Sequence, residues 1–233
     1  MKQFLYSLTI LGLIASCTGE TKNTMTVNGN IKGLKKGTLY LQHLKDTTLV
    51  TVDSLEIEGD GNFTFKTELE SPELFYLYLD KKDNNDINDR LSFFAEPGLI
   101  TINTNWNSFD TKAKITGSKS HEKLEEYLEV MSKSNLRGLE LIQKTADMDR
   151  ELSKQEMDSI EMLYTRNIQR NYVYAINFAI NNKDSYIAPY IAIKQIPEAN
   201  LKYLDSIAAV LPDSVANSKY GKELQAFIEK NKQ

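Results

Sequence analysis

His43 and His121 are the chain's only imidazoles, and Cys17 is its only thiol. Zinc takes three or four nitrogen or sulfur ligands, and two isolated histidines supply too few. They read as surface or interface residues. The stretch Asp80–Asp89 holds four aspartates and three asparagines, which raises calcium. An EF-hand loop counted from Asp83 needs glycine sixth and glutamate twelfth, but meets Asn88 and Phe94. A solvated loop of turn formers, or a looser oxygen site, is left. Asp53-Ser54 invites a nucleophile, yet no Gly-x-Ser-x-Gly elbow surrounds it, and such pairs commonly serve local hydrogen bonding. Gly29, Gly33 and Gly37 punctuate strands and open no phosphate-binding helix. The expectation is a chain with no catalytic residue, no metal site and no cofactor. The competing expectation is an enzyme using carboxylates such as Asp53 or Glu96, which would have to converge in a cleft.

Cys17 has a different chemistry in prospect. It follows Leu13-Ile14-Ala15-Ser16, after a start carrying Lys2 and about a dozen mostly apolar residues from Phe4 to Ala15. That is the layout of a secretory signal, too short for a spanning helix, which takes ~20 apolar residues. Small residues before a lone cysteine resemble a bacterial lipobox, in which the sulfur is acylated and the chain is cut before it. Two or more acyl chains give a stable membrane anchor where one does not. An ordinary signal peptide with an incidental cysteine is the alternative. Residues 1–16 are thus expected to be a lipoprotein signal peptide, and residues 17–25 the lipidated cysteine and a linker. Thr18 is not the aspartate that retains some lipoproteins at the inner membrane, so the expected location is the cell envelope, at the outer rather than the inner membrane.

Charge agrees with an exported globular protein. Residues 1–16 carry Lys2 and no acid, so the chain from Cys17 has 27 Lys+Arg against 32 Asp+Glu, a net of −5. Nucleic acid calls for a concentrated basic face, so it is not an expected partner. The expected partners are the membrane, through Cys17, and a protein of the envelope.

The elements change character near residue 117. Before it, period-two alternation predicts strands at 25–32, 37–44, 48–58, 61–69, 74–81, 90–95, 99–104 and 112–116. Gly59-Asp60-Gly61-Asn62 predicts a hairpin, and Pro97-Gly98 a second turn. After it, Leu124, Leu128, Met131, Leu139, Ile142 and Ala146 predict one helical stripe. Ser153 and Glu156 form a capping box opening a second helix, and the two helices are expected to pair as an antiparallel hairpin. Shorter helices are predicted at 185–194, 198–210 and 219–230. The fold class is α+β: an antiparallel β-sandwich-like domain at 26–116, then a helical domain at 117–233. Phe75, Tyr76 and Tyr78 would face both sides of a sheet, and the helices are the obvious cover. Trp106, Phe109, Tyr76 and Tyr78 are the candidate ligand or interface residues at the junction, with core packing as the competing reading. Tyr172, Tyr174, Tyr186 and Tyr190 offer a weaker version of the same argument.

Residues 26 to about 105 resemble the uncharacterised N-terminal domain that precedes a thioredoxin-like (redoxin) domain in many Gram-negative envelope lipoproteins. The resemblance rests on Val27-Asn28-Gly29-Asn30-Ile31, Val52-Asp53-Ser54, Gly61-Asn62-Phe63-Thr64-Phe65 and Phe94-Ala95-Glu96-Pro97-Gly98. Ser218-Lys219-Tyr220-Gly221 is similar to the connector before the redoxin domain. This sequence has no Cys-x-x-Cys, so the resemblance does not bring oxidoreductase activity with it. It implies a non-catalytic binding or docking module. A binder of small molecules or peptides in the groove between the β and helical halves is the second expectation.

Overall fold

The computed structural model describes residues 23–81, 89–146 and 152–232. Cys17, the signal segment and most of the Asp80–Asp89 loop lie outside the described residues. The strands are β1 (Thr24–Lys32), β2 (Lys36–Lys45), β3 (Thr48–Glu58), β4 (Asn62–Glu68), β5 (Glu73–Asp80), β6 (Arg90–Ala95), β7 (Gly98–Asn105) and β8 (Lys114–Thr116). They form two four-stranded sheets, ordered β4-β1-β7-β8 and β3-β2-β5-β6. Every pairing is antiparallel except β1 with β7, which is parallel. Alternate residues of both sheets fill the space between them: Val27, Ile31, Leu39, Leu41, Phe65, Leu77, Phe93 and Ile100 are all buried there.

The expected hairpin at Gly59–Asn62 is instead a crossover. Gly59 and Gly61 have φ of 113° and 73°, and Asp60 accepts from the Asn62 amide at 3.1 Å. The turn chemistry is as read, but β3 and β4 leave it into different sheets. The Gly61 carbonyl accepts from the Ile31 amide at 2.9 Å, so the turn is clamped onto β1. Pro97-Gly98 likewise carries the chain from one sheet to the other.

The helices are α1 (Lys119–Ala146), α2 (Lys154–Asn181), α3 (Ile187–Tyr190), a π-helical segment Ile191–Gln195, α4 (Leu201–Val210), α5 (Asp213–Ala216) and α6 (Lys219–Asn231). The Ser153–Glu156 capping box is present at the start of α2. A second core lies among α1, α2, α3, α4 and α6, and the outer face of the β3-β2-β5-β6 sheet supplies Phe94 and Leu74 to it. Phe94 meets Tyr190 edge-on at 5.9 Å and Tyr220 at 6.0 Å, so rings fill the junction.

Candidate functional site

The start of α1 is fastened to the sandwich by side chains that the sequence offered as chemistry. Both carboxylate oxygens of Glu96 are used there: the Lys119 amide donates to one at 2.5 Å, and the Ser120 hydroxyl to the other at 2.8 Å. Ser118 donates to the Phe94 carbonyl at 2.7 Å and accepts from the His121 amide at 3.0 Å. His121 is buried, and its Nδ1 accepts from the Phe94 amide at 3.3 Å. Burial holds its pKa below the usual 6.5, which Glu125 offsets only in part. Glu96 is therefore a helix cap and His121 a neutral acceptor inside a latch.

The other expected residues scatter. Asp53 accepts from the Ser54 amide at 2.8 Å on an exposed stretch of β3, far in the fold from Glu96. His43 bonds Glu73 through Nδ1 at 3.1 Å and stacks on Phe75. Glu73 also receives the Lys219 ammonium, which donates to the Leu44 carbonyl at 2.6 Å. That trio ties the start of α6 to the ends of β2 and β5. Among the described residues, no three His, Cys, Asp or Glu side chains gather as a metal site, and no helix is long and apolar enough to cross a membrane.

Trp106, Phe109, Tyr76 and Tyr78 do not form one groove. Phe109 is only 1% exposed, in the sandwich core, because the Thr104 hydroxyl pins its carbonyl at 2.8 Å and turns the ring inward. Trp106 is 43% exposed, but its amide bonds Lys32 and its ring sits over Gly33, with Lys81 beyond. Those partners mark the end of β5 at Asp80, whereas the helices pack at its start, on Leu74. Trp106 is thus at the opposite end of the sandwich from the junction. Tyr76 and Tyr78 share the outer sheet face. Tyr78 stacks on Tyr40 at 5.8 Å beneath Arg90, while Tyr76 approaches Tyr190, its hydroxyl pKa raised chiefly by burial.

The concave surface lies within the helical half, and of the four tyrosines offered there from sequence only Tyr172 lines it. In the α1–α2 hairpin, Leu124, Tyr127, Met131, Ser134, Gly138 and Leu141 face Ile160, Tyr164, Asn167, Asn171, Tyr174 and Phe178, steps of three and four on both helices. The Ser134 hydroxyl and Asn167 bond across the seam at 3.0 Å, and Tyr127 stacks on Tyr174. Burial beside Tyr174 and Tyr190 pushes the Tyr127 hydroxyl up to about 12, so it stays neutral. With α1 on one side, α2 turns its back to the start of α4. Asn200 caps α4 by accepting from the Lys202 amide at 2.9 Å, which sets Ala199 and Tyr203 opposite α2. Between them runs a trough of about 640 Å³, floored by Tyr172, Val173, Ile176, Ala199 and Tyr203. Gln169 leads from it into a second hollow of about 410 Å³ along α2, edged by Asp158, Glu161 and Arg166. Val173 and Tyr203 are 58% and 50% exposed, so the inner end presents an open apolar floor. Such a surface can hold an apolar segment or ligand.

No curated protein and no solved structure matched this chain. One family model did, over residues 25–124. That span runs past β8 to take in Glu96, Ser118 and His121, so the fastening of α1 falls inside the matched unit. The matched family is described as a domain of unknown function, DUF4369.

Proposed function

We propose that this protein is a non-catalytic docking module, held in the cell envelope by a lipid on Cys17. An apolar helical or extended segment of an envelope protein occupies the α2–α4 trough. The observation that carries this reading is the trough itself, with Val173 exposed on its α2 wall and Tyr203 on its α4 wall, joined to a charged outer hollow. The lipobox-like run before Cys17 and the polar spacer after it support the anchor, and Thr18 favours the outer membrane. The partner class we favour is a redoxin-type lipoprotein, on the resemblance of the sandwich and of Ser218–Gly221 alone. A single cysteine, spent on lipid, leaves this chain no thiol pair of its own.

A photo-crosslinking residue at Val173 in intact cells should capture a heterologous protein, and the same residue at the exposed Val52 should not. Tyr203→Asp should remove the adduct, and radiolabelled fatty acid should enter the chain only while Cys17 is present. Equal capture at both positions, or an unlabelled Cys17, would overturn the reading. The trough volume also suits a small apolar ligand, the second reading. That reading predicts a lipid or metabolite co-purifying with the wild type and lost with Tyr203→Asp.

A further inference from the structure

The trough and the outer hollow are two parts of one track along α2, with Gln169 lining both. Asp158, Met162, Thr165, Gln169, Tyr172 and Ile176 recur along it at steps of four and three, so they share one face of the helix. From Asp158 to Ile176 the track runs roughly 27 Å. Its ends differ in character. The inner end is apolar, with Tyr172, Val173, Ile176, Ala199 and Tyr203. The outer end carries Asp158, Glu161 and Arg166, and the exposed Glu198 adds a third acid beside the trough. Among the described residues, no ion pair or hydrogen bond engages the side chains of Asp158, Glu161 or Arg166. On the wet face of α1, by contrast, Lys133 pairs with Glu129 at 2.7 Å and Lys123 with Glu126 at 2.6 Å. The hollow thus holds an excess of negative charge that no described neighbour neutralises.

We propose, on the basis of the docking reading, that the occupant of this track is an amphipathic helix, its apolar turns in the trough and lysine or arginine side chains over the outer hollow. Backbone chemistry selects the helix. The walls are α2 and the start of α4 with the turn before it, so no strand edge runs along the track to receive a ladder of backbone hydrogen bonds. An extended segment would press amides and carbonyls onto Tyr172, Val173 and Ile176 with nothing there to pair them. A helix pairs its own backbone and presents only side chains, which lie in the groove between α2 and α4 as ridges do in any helix packing. Charge selects the basic end. Cations over Asp158 and Glu161 meet complementary partners, whereas an acidic segment would meet like charge. The apolar turns supply the affinity, and the basic end sets the register along α2.

The test uses the lipidated full chain in intact cells, with a photo-crosslinking residue at Val173 in the trough or at Met162 in the hollow, both exposed. These positions on α2 are separated by about 11 residues of helix, or roughly 17 Å. Peptide mapping should find both adducts on one segment of one protein. Their spacing should be about 11 residues if that segment is a helix, against about 5 if it is extended. Lysine or arginine should flank the Met162 adduct. Asp158→Lys combined with Glu161→Lys should lower capture at Val173 roughly tenfold, and Arg166→Glu should raise it roughly threefold, a gain that no folding defect produces. Circular dichroism should be unchanged in both, because all three side chains are exposed. A spacing near 5, adducts on different proteins, or capture indifferent to the charge variants would overturn the basic helix and leave the docking reading standing. Failure to capture any protein at Val173 would overturn both.

Discussion

His121 has a proton acceptor's job in a place that penalises protons. Its Nδ1 lone pair receives the Phe94 amide, and the ring is buried against the sandwich. Protonation would turn that acceptor into a donor facing another donor. The folded-state pKa is held below the ordinary 6.5 by burial, so between the two values the unfolded chain binds more protons than the folded one. The contribution is fully present above pH 6.5 and is lost as pH falls below it, by at most about 1.4 kcal/mol at pH 5.5. Urea midpoints at pH 7.5 and 5.5 should therefore differ more in the wild type than in His121→Gln, which keeps an acceptor and does not titrate. Identical pH dependence in the two proteins would refute this role. From sequence, His121 and Glu96 were separate single residues on a helix start and a turn. Only the crossover from β6 to β7 brings them onto one helix end, and no local pattern reports a contact twenty-odd residues apart.

At the scale of elements, close backbone approach explains one motif that the resemblance flagged. Gly29 pairs with Ile102 in the parallel β1–β7 ladder. A Cβ there would come within 1.7 Å of the Ile102 carbonyl oxygen and 3.0 Å of the Phe63 ring. Backbone cannot yield as a flexible side chain can, so Gly29→Ala should cost at least ~3 kcal/mol in chemical denaturation, or prevent folding. A loss under 1 kcal/mol would show that β1 and β7 are further apart than described. All eight strands were legible, because half-buried strands write their period into the chain. Which sheet each strand joins was not: the Gly59–Asn62 turn is the same chemistry whether the strands pair or part. The α1 stripe failed for a related reason. Leu124 and Met131 belong to the seam with α2, while Leu128, Leu139 and Ile142 lie exposed on a neighbouring row. Two apolar rows 100° apart read as one broad stripe when no partner is visible. The π-helical turn, closed by the Ile196 amide on the Ile191 carbonyl at 3.2 Å, has no sequence signature of its own.

For the whole molecule, the question is whether two cores behave as one. Phe94 is the residue on which that turns. Its backbone belongs to β6 and the latch, while its fully buried ring belongs to the helical core between Tyr190 and Tyr220. Lys219 bound to Glu73, and the Leu74 amide donating to the Tyr220 hydroxyl at 3.2 Å, add polar ties along the same seam. Truncating the ring opens a cavity at the junction without touching the sandwich interior, and Phe→Ala in such a site costs roughly 3–5 kcal/mol. That loss falls on the helical half, whose hairpin extends well past any other support. The chain carries its own reporters for the two halves: the single tryptophan, Trp106, sits at the far end of the sandwich, and ellipticity at 222 nm follows the helices. In the wild type both signals should move together through one urea transition. In Phe94→Ala the helical signal should fall first and the Trp106 signal later, because the tie that made the halves cooperative is gone. Coincident curves in the mutant would mean that the polar latch at Glu96 and Ser118 couples the halves without the ring, and that Phe94 is filler.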